Sequence, residues 1–178
     1  AVRTAMVLAA GLGTRMQPLT GDRPKTLIEV GGKALIDWVL DDLAEAGITT
    51  VVVNLHYKAE MLSQHLSARQ RPRVLVSDET EALLDTGGGV AAALPLIDDD
   101  IVLITNSDAL WSGGLVHAIT HLADTWSGGT MDALLVLAAM DRAFGFDGAG
   151  DFVLQRRVGQ GAGSSHGRRI EKNGNSTR

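Results

Sequence analysis

Thr4-Ala5-Met6-Val7-Leu8-Ala9-Ala10-Gly11-Leu12-Gly13-Thr14-Arg15 decides how this chain folds. Thr4–Ala9 is a strand candidate that coincides with the apolar run Ala5–Ala10, and a continuous apolar run suits a strand covered on both faces. It is too short to cross a membrane, and no signal-peptide pattern with a cleavage site accompanies it. A glycine loop follows at once. Two glycines let the backbone approach a phosphate closely and leave N–H groups to cradle it. The loop is not a dinucleotide fingerprint, because Arg15 and Pro18 stand where a third glycine would open a helix. Nor is it a P-loop, since G-x-x-x-x-G-K-[ST] occurs nowhere in the chain. Gly11-Leu12-Gly13 alone is more often a tight turn. Arg15 in the loop and Pro24-Lys25 ten residues on turn the reading toward phosphate, since Arg clamps phosphate oxygens bidentately and Lys supplies a compact point charge.

Outward from this segment, short β-branched or apolar runs alternate with helical spacing. Ala34–Ala46 places Leu35, Val39, Leu40 and Leu43 on one helical face, and Gly47 stands where a C-cap glycine belongs. Thr50–Val53 predicts a strand, Ala59–Leu66 a helix and Val74–Val76 a strand. Gly89–Leu94 predicts a short helix stopped by Pro95. Ile101–Thr105 predicts an apolar strand, Leu115–Leu122 a helix and Ala133–Ala139 a further buried strand. Strands separated by helices imply right-handed crossovers and an α/β fold, a Rossmann-like, mostly parallel sheet with helices on both faces. In such sheets ligands bind outside the carboxyl ends of the strands. The segments Ala10–Arg15, Ser77–Gly89 and Asn106–Asp108 are therefore expected to converge on one edge.

Asn106-Ser107-Asp108 ends the predicted fourth strand. A carboxylate there is placed to hold Mg²⁺, which prefers one or two carboxylates supplemented by waters and phosphate oxygens. The alternative is an Asx turn or helix cap. Gly87-Gly88-Gly89 reads as a loop approached by a flat ligand, a base or ribose, or else as a flexible connector. His117 and His121 lie four apart without the Glu of a zincin and read as exposed helix residues. Asp98-Asp99-Asp100 reads as a solvated turn.

Composition sets the outer limits. The chain has 178 residues, of which 45% are hydrophobic and 21% charged, as in soluble globular domains. A net charge of −5 argues against nucleic-acid or membrane-surface partners while leaving room for a small phosphate pocket. The absence of cysteine excludes disulfides, thiolate metal sites and a Cys nucleophile, and fits a cytoplasmic location. Residues 1–154 read as one nucleotide-handling domain. Residues 155–178, rich in Gly, Arg, Ser and Asn, read as an irregular tail.

These residues together resemble the sugar-1-phosphate nucleotidyltransferases. Val7-Leu8-Ala9-Ala10-Gly11-Leu12-Gly13-Thr14-Arg15-Met16, Pro18-Leu19-Thr20 and Pro24-Lys25 match that family's nucleotide-binding signature, and Asn106-Ser107-Asp108 its metal-binding strand end. The resemblance runs from about Arg3 to Phe152. Leu84-Asp85-Thr86-Gly87-Gly88-Gly89, Asn106–Trp111 and Gly150-Asp151-Phe152 look closest to the subgroup acting on N-acetylmuramate 1-phosphate with UTP, and the mannose-1-phosphate guanylyltransferases are further relatives.

The resemblance implies transfer of a nucleotidyl group from a triphosphate to a sugar 1-phosphate, with Mg²⁺ as cofactor. It implies Arg15 at the β- and γ-phosphates, Lys25 at the α-phosphate and attacking phosphate, and Asp108 on the metal. Gly11, Gly13 and Thr14 would contact phosphate and ribose. The base would lie between Ala9-Ala10-Gly11 and the Glu79–Gly87 stretch, with Asn106 and Gly150 toward the sugar. Lys25-Thr26-Leu27 departs from the usual Lys-Pro-Leu. The family's second metal carboxylate, from a late Trp-x-Asp-x-Gly-like strand, has no counterpart after Phe152. Truncation, a frameshift near Gln155 or missing segments would each produce this. A non-catalytic nucleotide-binding module is the competing reading.

Overall fold

The computed structural model describes residues 2–142, 148–154 and 170–172. The chain divides into two compact units, Ala1–Thr120 and His121–Arg178. In the first unit, β1 (Thr4–Leu8) is followed after a long loop by the two-residue strands β2 (Glu29–Val30) and β3 (Lys33–Ala34), which form a small antiparallel ribbon. Then come α1 (Leu35–Glu45), β4 (Thr50–Leu55), α2 (Ala59–Ser67), β5 (Arg73–Asp78), α3 (Asp85–Ala93), β6 (Val102–Asn106) and α4 (Leu115–Thr125), whose residues after Thr120 belong to the second unit.

β1, β4, β5 and β6 build one parallel sheet in the order β5-β4-β1-β6. The period-2 alternation of a strand divides its side chains between two cores. Ala5 and Val7 of β1 join Val51 and Val53 of β4 beneath α1, α2 and α4, where Ile36, Leu40, Leu43, Leu62 and Ile119 pack. Met6 and Val52 face the other way, against Ala93 at the end of α3. With a helical layer on each side, β1 is apolar from Ala5 to Leu8, and the one polar residue, Thr4, donates its hydroxyl to Asp99 at 2.6 Å.

After β5 the chain returns past β4 and β1 to lay β6 on the far side of β1. The topological switch thus falls between β1 and β6, and the crevice beyond their carboxyl ends is where open α/β sheets bind ligands.

Three expectations are corrected here. Gly87–Gly89 is not a loop but lies inside α3, which begins four residues earlier than expected. Glycine is a poor helix former, by about 1 kcal/mol each relative to Ala, and packing overrides that preference. A Cβ on Gly89 would stand 2.7 Å from Glu79 Oε1 and 2.9 Å from Asn54 Nδ2, so only glycine lets the helix settle there. β6 is apolar but not fully buried, because it is an edge strand of its sheet among the described residues, with Ile104 44% exposed. Ala133–Ala139, in the second unit, forms no strand: no strand pairs with it among the described residues, and Leu135 and Val136 are exposed.

The second unit contains a 3₁₀ turn at Met140–Arg142 and an antiparallel pair, β7 (Phe152–Leu154) with β8 (Ile170–Lys172). Ile170–Lys172 is therefore extended and paired where the composition of the tail suggests irregular chain. The remainder of 155–178 lies outside the described residues.

Leu43 is fully buried between α1 and the sheet. Leu43→Ala removes its contacts and leaves a cavity, and should destabilise the chain by about 2–5 kcal/mol. Urea unfolding would show this as a lower midpoint at unchanged slope.

Candidate active site

The chain leaves β1 and β6 level with each other. Leu8 stands opposite Asn106, and Ser107 N–H donates to Leu8 O at 3.2 Å. Ala9–Gly13 and Ser107-Asp108 therefore emerge side by side over the switch point. The amides of Gly11 and Leu12 make no hydrogen bond among the described residues. They are available to an anion, as the glycine loop suggests.

Gly13 turns the loop in the left-handed region, at φ +66°. Its carbonyl accepts the hydroxyl of Thr20 at 2.9 Å, and the Thr20 methyl packs so closely that a Cβ on Gly13 would meet it at 2.8 Å. Tyr57 Oη in turn donates to Thr20 O at 3.0 Å. Thr20 is fully buried, so the second half of the loop is clamped against its first.

Lys25 is aimed by its neighbours. Pro24 and Thr26 are both buried and anchor a 3₁₀ turn closed by Leu27 N–H donating to Pro24 O. Only the residue between them points outward. Its chain runs past Gly11, whose absent Cβ would lie 3.4 Å from Lys25 Nζ, and it donates to Asp108 Oδ2 at 2.7 Å. The cation and the carboxylate singled out from sequence, 83 residues apart, thus meet across the switch point. Arg15 is exposed in the 3₁₀ turn Thr14–Met16 and has no ion pair among the described residues. Asn106 closes β6 and is exposed. Gly150 belongs to the second unit, at φ +81°, against Met140 Sδ.

Glu79 differs from what its sequence position suggests. It is 3% exposed, and its carboxylate faces inward. Oε1 accepts Asn54 Nδ2–H at 2.8 Å and Oε2 accepts Leu84 N–H at 3.3 Å. Beside it, Thr80 donates to Asp78, the amide at 2.8 Å, and these bonds hold the Asp78 carboxyl below its ordinary value. Gly87 lies in the first turn of α3 with open space around its α-carbon.

Asn54 and Thr20 escaped the sequence reading as members of the site. Asn54 carried a signal, since it is the one polar side chain near the end of the apolar run Thr50–Leu55. Thr20 was visible only as part of a motif.

A cavity of about 350 Å³ opens elsewhere in this unit, bounded by Val30, Trp38, Asp42, Leu110, Trp111 and Leu115. Gly11, Lys25 and Asp108 do not line it. For a metal, the described residues offer no cluster of three or more His, Asp or Glu side chains. They offer one carboxylate, Asp108, beside a cation and a glycine loop. A single hard oxygen ligand of this kind fits Mg²⁺ shared with phosphates and fits no all-protein cage.

A Rossmann-like sheet with a phosphate-type loop and a Lys–carboxylate pair at its switch point defines a nucleotide-handling α/β protein. The nucleotidyl transferase family model matches residues 4–151, and the chain belongs to that family. N-acetylmuramate alpha-1-phosphate uridylyltransferase of Caulobacter vibrioides is 47% identical over 158 residues, covering 86% of this chain and 65% of that protein. The protein of the same name from Neisseria meningitidis serogroup B is 41% identical over 108 residues, covering 60% of this chain and 47% of that protein. The chain thus spans less than two thirds of either relative. Among solved structures, the inositol-1-phosphate CTP transferase from T. maritima superimposes with a TM-score of 0.60 over 72% of this chain and 50% of that one. At 21% identity it supports the fold.

Gly13→Ala should destabilise the loop by at least ~1 kcal/mol, the cost of a left-handed non-glycine residue, with the clash against Thr20 added. Combining it with Thr20→Ser removes the methyl and keeps the hydroxyl. The pair should recover the clash component alone, which thermal melts of the three variants would separate.

Proposed function

We propose that this chain carries the nucleotide-binding part of a sugar-1-phosphate uridylyltransferase, transferring a uridylyl group from UTP to N-acetylmuramate 1-phosphate. The observation that carries the reading is the meeting of Lys25 Nζ and Asp108 Oδ2 at 2.7 Å beside Gly11. In the reaction, a phosphate oxygen of the sugar phosphate attacks the α-phosphorus in line. The bond to the β-phosphate breaks, and pyrophosphate leaves with the electron pair. No protein nucleophile is needed, and catalysis is positioning and charge stabilisation.

Lys25 neutralises the α-phosphate and the incoming phosphate, two anions that otherwise repel. Arg15, exposed and unpaired among the described residues, holds the β- and γ-phosphates with its planar fork. The free amides of Gly11 and Leu12 bind phosphate, and Gly13, Thr14 and the Ala9-Ala10 backbone border the nucleoside. Asn106 serves the sugar side. Asp108 would hold Mg²⁺, which would polarise the phosphate oxygens when bound. The nature of both substrates suits a cytoplasmic protein. No helix among the described residues is long and apolar enough to cross a membrane.

A second reading is a nucleotide-binding module without turnover. It is favoured by Asp108 being the one carboxylate bonded to Lys25 beside Gly11 among the described residues.

Lys25→Ala should bind UTP more weakly and lower turnover by on the order of 10²–10³, the usual effect of removing one charge-stabilising group. Asp108→Asn should shift the Mg²⁺ titration of pyrophosphate release to higher concentration, since an amide is the poorer ligand for a hard cation. Pyrophosphate release with N-acetylmuramate 1-phosphate and UTP checks both. UTP binding with no release by the parent chain would favour the module, and preference for GTP would overturn the uridylyl assignment.

A further inference from the structure

We infer that Asn54 and Glu79 are positioning residues that set the two walls of the nucleoside slot. The inference rests on the nucleotide site just proposed and gives it a hidden support. Neither side chain reaches the slot itself, as both are 3% exposed. Asn54 Oδ1 accepts Ala9 N–H at 2.7 Å, where β1 gives way to the glycine loop. Its Nδ2 donates to Glu79 Oε1 at 2.8 Å, and Glu79 Oε2 takes Leu84 N–H at 3.3 Å at the entry to α3. Gly89 of α3 seats against both polar groups, within 2.7–2.9 Å of where its Cβ would be. One wall, Ala9–Gly11, and the other, Glu79–Gly87, are thereby tied through a single chain of hydrogen bonds, buried at its first two links and partly buried at the third.

The polarity of this chain is fixed. Ala9 presents a donor, so the Asn54 atom facing it must be oxygen. Glu79 presents an acceptor, so the other Asn54 atom must be nitrogen. Glu79 accepts on both sides, from Asn54 and from Leu84. No other arrangement of these groups satisfies all of them, and unsatisfied buried polar groups are costly. The pair therefore selects one separation of β1's exit from α3.

The same logic supplies the test. Glu79→Gln sets a donor against a donor whichever way its amide is turned. Asn54→Asp sets carboxylate against carboxylate. The double variant N54D/E79Q exchanges the roles: the new carboxylate accepts from Ala9 N–H and from the glutamine amide, whose carbonyl accepts from Leu84 N–H. Every bond is restored and net charge is unchanged.

Hydrogen exchange of the Ala9 amide and UTP affinity would be measured for the parent, N54D, E79Q and N54D/E79Q, at a temperature where each is folded by circular dichroism. Each single variant should speed Ala9 exchange and weaken UTP binding by about tenfold, the scale of one buried unsatisfied group. The double variant should return both toward the parent. Single variants that match the parent in Ala9 exchange and UTP affinity would overturn the inference, as would a double variant no better than the singles. A parent that binds no UTP would overturn the nucleotide site instead, while Ala9 exchange would still decide whether the pair holds the two walls.

Discussion

Everything at the candidate site depends on β1 being hydrogen-bonded on both sides, to β4 and to β6. Its register with β6 sets Leu8 beside Asn106. Its register with β4 sets Val7 beside Val53, one residue before Asn54. Moving β1 by a single residue would turn Met6 and Val7 into each other's core and carry the glycine loop away from both partners. Two buried cores of opposite facing, one under α1, α2 and α4 and one under α3, make that slip prohibitively costly. The site is thus held by packing well below it, and its own residues are left free to be polar, small and partly exposed.

The consequence is a division of labour along the loop. Residues that hold position are buried and engaged: Thr20 to Gly13, Tyr57 to Thr20, Pro24 and Thr26 around Lys25. Residues that meet a ligand in the proposed reaction are not. Gly11 and Leu12 keep their amides unbonded among the described residues, and Arg15 is exposed. A loop of this construction keeps its donors pointed without using them up, which is what charge stabilisation of a polyanion requires.

How far this was legible in the sequence depended on the range of the interaction. β1, α1, α2, β4 and α4 follow from periodicity within a dozen residues, and each forms within a few residues of where that pattern places it. The convergence of Gly11 and Asp108 was legible because a parallel sheet brings strand ends to one edge, whatever the side chains, whereas Lys25, in a 3₁₀ turn, was visible only through its motif. The Asn54–Glu79 pair was not. It joins positions 9, 54, 79 and 84, and no local pattern marks a carboxylate as facing inward. The helical Gly87–Gly89 was misread for a related reason: glycine's local preference speaks for a loop, and the need of α3 to approach Glu79 closely is a tertiary fact. Ala133–Ala139 has the composition of a strand, but composition alone does not supply a neighbour to pair with.

The Lys25–Asp108 pair brings these threads together. An unpaired lysine whose side chain is only 21% exposed carries a desolvation cost, and an unpaired carboxylate at 31% exposure carries another. At 2.7 Å each relieves the other. Under the proposed function Lys25 would trade this carboxylate for phosphate oxygens, which would free Asp108 to hold a cation. Each charge would then be paired before the exchange and again after it. A neutral residue at either position would break that balance in both directions. Lys25 without Asp108 would be attracted to any anion, whereas Asp108 without Lys25 would repel the polyanion it has to receive. The two residues are therefore one unit, and the crevice between β1 and β6 is the place in this fold where they can be brought together.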